Sequence, residues 1–270
     1  MLLCWCVAGV LAGSAAGGPF ADAVVAYNAG SNPEPGYTDA AAVLGSPTRF
    51  TGVQFGFPSV VSPFSPAFDL DEIVSVGFGG SLTVQMGRTI RDDAGHRFGL
   101  DFIVFGNAGF IDVDYPNGSV GDEPAFFESG APVLVEASID GVHWAQVAVQ
   151  TLDLWPTLGY RDAGPFDAAP GSVRTSFLTA MDPSLTLADV AGMSYAELVG
   201  VYGRSGGGIG FDLASAGLVE ATYLRFTHAG LADQTFQIDA VAVVPSPAGL
   251  PLLLGITGLW RARRNREAGA

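Results

Sequence analysis

Six carboxylate or amide side chains crowd one short stretch, FIDVDYPNGSVGDEPAFFE: Asp112, Asp114, Asn117, Asp122, Glu123 and Glu128. Hard cations such as calcium want several oxygens gathered by a sharply bent backbone. Asp112, Asp114 and Glu123 take positions 1, 3 and 12 of an EF-hand-like loop. The bend is one residue late, at Asn117-Gly118, and no helical pattern flanks the stretch. Two readings follow, a calcium loop or a solvated acidic turn.

Nucleophilic and hydrolytic chemistry has less to stand on. His96, His143 and His228 are far apart, and no His-Glu-x-x-His, Gly-x-Ser-x-Gly or Cys-His pattern occurs. The run GRSGGGIGF lacks Gly-x-Gly-x-x-Gly spacing and a βαβ setting, so Gly206 to Gly210 reads as a flexible turn into Phe211-Asp212-Leu213. A carboxylate-pair glycosidase stays open, because such pairs are defined by separation in space, roughly 5 to 9 Å, and not by sequence spacing. Sugar binding asks for exposed aromatics beside polar groups. Trp155, Tyr160 and Tyr115 are the loop aromatics, although Trp155-Pro156 reads better as a turn packed on the core.

Composition narrows the setting. Of 270 residues 49% are hydrophobic, 14% charged and 37 are glycine, which suits many short strands joined by tight turns. The formal charge is −15, and four of the twelve arginines (Arg261, Arg263, Arg264 and Arg266) lie in the last ten residues, so the body is more acidic still. Such a surface repels phosphate and excludes nucleic acid as a partner.

The two ends read as address labels. Residues 1–23 resemble a secretory leader, with an apolar core from Leu2 to Leu11 and a small-residue cut at Ala21-Asp22-Ala23, or alternatively at Ser14 to Ala16. Cys4 and Cys6 fall inside it, so the mature chain is cysteine-free. At the other end, Gly249 to Trp260 is apolar except for Thr257 and is followed by RARRNR. Twelve helical residues span about 18 Å, short of a hydrocarbon core of about 30 Å, and the arginines behind them favour the cytoplasmic side.

Between the ends, strand-like runs begin at Val24, Ile73, Ser81, Asp101, Thr222 and Phe236, rich in β-branched and aromatic residues. In VLVEASIDGVHWAQVAV, Asp140-Gly141 suggests a two-residue type I′ hairpin pairing Ile139 with Val142, Ala137 with Trp144 and Val135 with Gln146. Ser138 then pairs with His143 on the outer face, making His143 a surface residue. His228 ends a strand run and reads as exposed. Helix signals are few: Ser194 with Glu197 has capping-box spacing, and Thr186 with Asp189 caps a shorter turn.

Two resemblances sharpen this. Pro245-Ser246-Pro247, the apolar run and the arginine cluster resemble the PEP-CTERM sorting signal of bacterial exported proteins, with Ser246 where that family carries Glu. The resemblance implies an exosortase-like processing enzyme and a membrane as partners, with Pro245, Pro247, Arg261, Arg263, Arg264 and Arg266 as the recognised residues. The ordered set GGSLTVQMGRTIRDDAGHRFGLDFIVFGN, SIDGVHW, GGGIGFDLASAGL and FQIDAVAVV is similar to bacterial surface proteins whose domains look like discoidin or galactose-binding jelly rolls. That similarity implies a structural calcium joining an N-terminal loop to an Asp of the last strand, here Asp239 with Glu34 and Asp39 as co-ligands. If Asp239 points inward it must find a cation or hydrogen-bond donors.

The expectation is an all-β, antiparallel β-sandwich of jelly-roll type with short helical embellishments and a C-terminal apolar helix: leader 1–23, body 24–244, sorting segment 245–270. The expected role is non-enzymatic: an exported cell-surface or matrix protein that contacts polysaccharide or other glycans. The competing class is a secreted carbohydrate-active enzyme, a glycoside hydrolase or lyase, on the same scaffold.

Overall fold

The computed structural model describes residues 17–52, 54–127 and 130–246. The apolar run read as a leader, with its cysteines, Glu128, and the tail from Pro247 through its expected helix and arginines lie outside the described residues.

The described residues are mostly strand, in several antiparallel sheets with few helices. The first six strands are β1 (Ala21–Asn28), β2 (Phe50–Thr51), β3 (Ser59–Val60), β4 (Val74–Val76), β5 (Ser81–Arg91) and β6 (Phe102–Phe105). The last six are β7 (Val133–Ser138), β8 (Ala145–Gln150), β9 (Ile209–Phe211), β10 (Glu220–His228), β11 (Phe236–Ile238) and β12 (Ala240–Val243). One α-helix, α1 (Tyr195–Tyr202), and short 3-10 turns accompany them. Both expected capping boxes form: the Glu197 carboxylate accepts from Ser194 N at 2.9 Å, and that of Asp189 from Thr186 N at 2.7 Å.

The large sheet runs in the order β1-β5-β10-β7-β8. Its strands alternate as a half-buried sheet requires: Leu82, Val84 and Met86 of β5, Leu224 and Phe226 of β10, and Val133, Val135 and Ala137 of β7 all point into one core. Facing them across that core are Phe102 and Val104 of β6, Phe211 of β9, and Val241 and Val243 of β12, from a second sheet ordered β12-β6-β9. Two sheets sharing a core in this way are compatible with a β-sandwich. The second sheet is covered on its other side too, where Ile103, Phe105, Ala240 and Ala242 meet Phe177 and Ala180. This explains why β6 reads FIVF without alternation: both faces are dry. Burying Phe226 and Phe102 contributes about 2–3 kcal/mol each.

Two local expectations change. The β7–β8 turn is wider than two residues: Ala137 faces Ala145, not Trp144, and Val135 faces Ala148, not Gln146, across a bulge. The cause is Asp140, whose carboxylate takes the N–H groups of Val142 and His143, both at 2.8 Å, and faces His143 Nδ1 at 2.8 Å. Only Gly141 then adopts positive φ, +73°, where a type I′ turn needs two such residues. The glycine run is not a flexible turn. Gly206, Gly207 and Gly208 are buried, and β9 begins at Ile209. A Cβ on Gly207, at φ +86°, would stand 2.3 Å from the Pro156 carbonyl oxygen, so only glycine fits. Residues 19–21, within the stretch read as a leader, are bonded to the body: Gly87 N donates to Phe20 O at 2.8 Å, Val243 N to Pro19 O at 2.7 Å and Gly45 N to Ala21 O at 3.0 Å.

Candidate functional site

The strand ends around β4, β6 and β11 leave a cleft of about 300 Å³ lined by hydrogen-bonding side chains. Asn107 enters it from just beyond β6, Asp153 from beyond β8, and Gln234 and Gln237 from the β10–β11 turn and β11. Their positions are set by bonds. Asn107 Nδ2 donates to Gln237 Oε1 at 2.9 Å, Gly130 N to Asp153 Oδ2 at 2.6 Å, and Leu231 N to Gln234 Oε1 at 3.0 Å. Gly130 is small for a reason: a Cβ there would lie 2.4 Å from Asp153 Oδ2 and block that bond.

At Glu34, Asn107 and Gln237 the cleft continues into a second recess of about 180 Å³ whose wall includes Tyr37, Phe68 and Phe127. Phe127 is 50% exposed, although a ring of that size is normally buried. Gly109 makes room for it, since a Cβ there would come 2.3 Å from Phe127 Cε1. Tyr37 donates its hydroxyl to Phe68 O at 2.6 Å, which fixes one wall. Amides and carboxylates beside aromatic faces can hydrogen-bond hydroxyls and stack on the C–H faces of a polyol ring.

The residues singled out from sequence are dispersed. Asp112 organises its own loop, accepting from Asp114 N at 2.9 Å, Ser119 N at 2.8 Å and Gly118 N at 3.0 Å; Asp114 accepts from Asn117 Nδ2 at 3.2 Å, and Glu123 is exposed. Asp39 caps a 3-10 turn through Ala41 N at 2.9 Å. Asp239 does point inward, 3% exposed, where the chain switches from pairing with β4 to pairing with β6. It finds donors: Thr48 N lies 2.9 Å from Oδ2 and 3.2 Å from Oδ1, and Thr48 Oγ1 lies 3.4 Å from Oδ1. Burial, with the nearby Glu72 charge adding to it, pushes the Asp239 carboxyl up to about 8. Glu34 lines the cleft instead, and the structure does not bring it to Asp239 and Asp39 as a carboxylate trio. Of the loop aromatics, Trp155 and Tyr160 are buried and Tyr115 is exposed beside Phe166. Pro245 and Ser246 are exposed at the end of the described chain.

Among the described residues one carboxylate trio, Asp92, Asp101 and Asp212, brings oxygens within 4.8 Å of one another. The buried member is already engaged: Asp101 Oδ1 faces His96 Nδ1 at 2.7 Å and accepts from Asp93 N at 3.3 Å, and Oδ2 accepts from Leu213 N at 2.8 Å. Burial pushes the Asp101 carboxyl up while these bonds pull it down. His228 is buried, not exposed, between Phe78 and Phe236, with Nε2 2.9 Å from Gln234 O; it buttresses the cleft turn. His143 is a surface residue, its imidazole raised by the Asp140 hydrogen bond.

The cleft residues Asn107, Asp153, Gln234 and Gln237 carry no motif. Their only sequence signal is a polar side chain at or near the end of an apolar strand, as in FIVFGN and TFQI.

No protein-family model matches the chain, and no curated protein does. Among solved structures it is similar to CBM32-3 from a family 31 glycoside hydrolase from Clostridium perfringens, at 14% identity over 64% of this chain and 75% of that one, with a TM-score of 0.27. At that score the likeness decides neither topology nor ligand.

Proposed function

We propose that this is an exported surface or matrix protein whose body, a jelly-roll sandwich, binds glycans without turning them over. One observation carries the reading: the amide- and carboxylate-lined cleft runs into an aromatic recess at Glu34, Asn107 and Gln237. Polyols need both halves, donors and acceptors for hydroxyls and an aromatic face for the ring. The leader-like start and the arginine-backed tail support export and sorting, with an exosortase-like enzyme and the membrane as partners. No helix among the described residues is long and apolar enough to cross a membrane.

The test is a neutral and acidic polysaccharide panel offered to the protein and to a Phe127→Ala, Gln237→Ala double variant. Binding that weakens about tenfold or more in the variant, roughly 1.4 kcal/mol, supports the reading. Equal binding by both proteins, or none by either, overturns it. Turnover that depends on Glu34, Asp153 or Asp233 installs the enzyme reading at the same cleft.

A further inference from the structure

A different cavity, about 450 Å³, lies beside the end of β12 and shares no residue with the glycan cleft. It brings together Arg88 and Arg91 of β5, His96 beyond that strand, and Val243 to Ser246. His96 Nδ1 stands 2.7 Å from Asp101 Oδ1, and His96 Nε2 stands 3.1 Å from Ser246 Oγ. The imidazole and the carboxylate are withdrawn from water, with side-chain exposures of 2% and 0%, while Ser246 is exposed at the rim. Asp101 is itself fixed by the N–H groups of Asp93 and Leu213, so it can hold the imidazole in one orientation. With the Nδ1 proton turned to Asp101, the Nε2 lone pair faces the serine hydroxyl. Hydroxyl, base and orienting carboxylate in that order make up a nucleophilic serine.

Two neighbours bear on this arrangement. The Asp93 carboxylate also lies within reach of this hydroxyl, which has one proton, so attack requires that proton to turn from Asp93 to His96 Nε2. Arg88 donates Nη2 to Val243 O at 3.1 Å, and its buried Nε has no hydrogen-bond partner among the described residues. That nitrogen lies beneath the surface, while the side chains of Arg88 and Arg91 both line the cavity.

We propose that Ser246 is the nucleophile of an acyl-transfer site, with His96 as its general base, acting on short-chain carboxylic esters. Ser246 Oγ attacks the ester carbonyl carbon as His96 Nε2 takes its proton. The carbonyl oxygen gains negative charge in a cavity lined by the cationic side chains of Arg88 and Arg91. The C–O bond to the alcohol breaks, and His96 returns the proton to the departing alkoxide, leaving an acyl ester on Ser246. Water, deprotonated by His96, attacks that ester; the acyl C–O bond to Ser246 Oγ breaks as His96 returns the proton to Oγ, so the sum is ester plus water giving acid plus alcohol. Asp101 is a positioning residue that steadies the imidazolium. The inference stands independently of glycan binding.

The experiment uses the full-length chain, treated with a fluorophosphonate probe and, separately, with p-nitrophenyl acetate. Probe adduct mapped to the Ser246 peptide by mass spectrometry is expected, with ester hydrolysis at least tenfold above that of Ser246→Ala. Ser46→Ala, at an exposed serine outside the cavity, is expected to match the unsubstituted protein. His96→Gln is expected to lose the adduct; should it misfold, Ser246→Ala, a surface change with an unaltered circular dichroism spectrum, decides alone. No adduct on Ser246, or equal hydrolysis by Ser246→Ala, overturns the proposal.

Discussion

Asp239→Asn removes the proton that burial lets the junction of β11 and β12 hold near neutral pH. The carboxyl is 3% exposed, with Thr48 supplying its donors, and burial raises it from 3.8 to about 8. A raised carboxyl binds its proton more tightly in the folded chain. Between pH 4 and 8, then, the folded protein carries about one proton that the unfolded chain has released. Stability from this group is fully present below the unfolded value and is lost as pH rises through the folded one, at about 1.4 kcal/mol per pH unit. That slope holds only between the unfolded and folded values, and a folded value near 8 keeps the whole interval from pH 5 to pH 7 inside that window. From pH 5 to pH 7 the loss is roughly 3 kcal/mol. Asparagine keeps the shape and the acceptor for Thr48 N–H but has no proton to release. Urea unfolding of both proteins at pH 5, 6 and 7 isolates the effect, since every other titrating group is common to both. The variant is expected to gain on the parent by roughly 3 kcal/mol over those two units. Parallel stability curves would refute the burial argument. An Asp239 ionised and held by a cation would also give parallel curves over this range, with the variant the less stable protein at every pH.

Gly207→Ala is expected to cost more than about 2 kcal/mol in the same unfolding assay, because the added methyl meets the Pro156 carbonyl at 2.3 Å on a positive-φ backbone. Gly79→Ala, also at positive φ but with open space around it, is expected to cost only about 1 kcal/mol. A chain beginning at Val24 is expected to melt several degrees below one beginning at Gly17, since it lacks the bonds made by Pro19, Phe20 and Ala21 to Val243, Gly87 and Gly45. Equal melting temperatures by calorimetry would show that these contacts add nothing.

Local physics was legible in the chain itself. β-branched and aromatic runs marked β5, β7 and β10, because such side chains pack well on a pleated sheet, and the Ser194 and Thr186 capping boxes were readable because their partners are three residues away. Tertiary structure decided the rest. The hairpin register turned on the Asp140 side chain choosing backbone N–H groups over a mirror-image turn. The glycine run looked loose until Pro156 and Ile103 were packed against it. Asp239 gave no hint of whether it wanted a cation or Thr48, which lies 191 residues away. Asn107 and Gln237 meet across 130 residues, and His96 and Ser246 across 150. Short-range order follows from bonds a residue makes with near neighbours, whose identities a sequence prints side by side. A site is assembled by chain crossings, and nothing in the spacing of its residues along the chain records which strand ends will share a cleft.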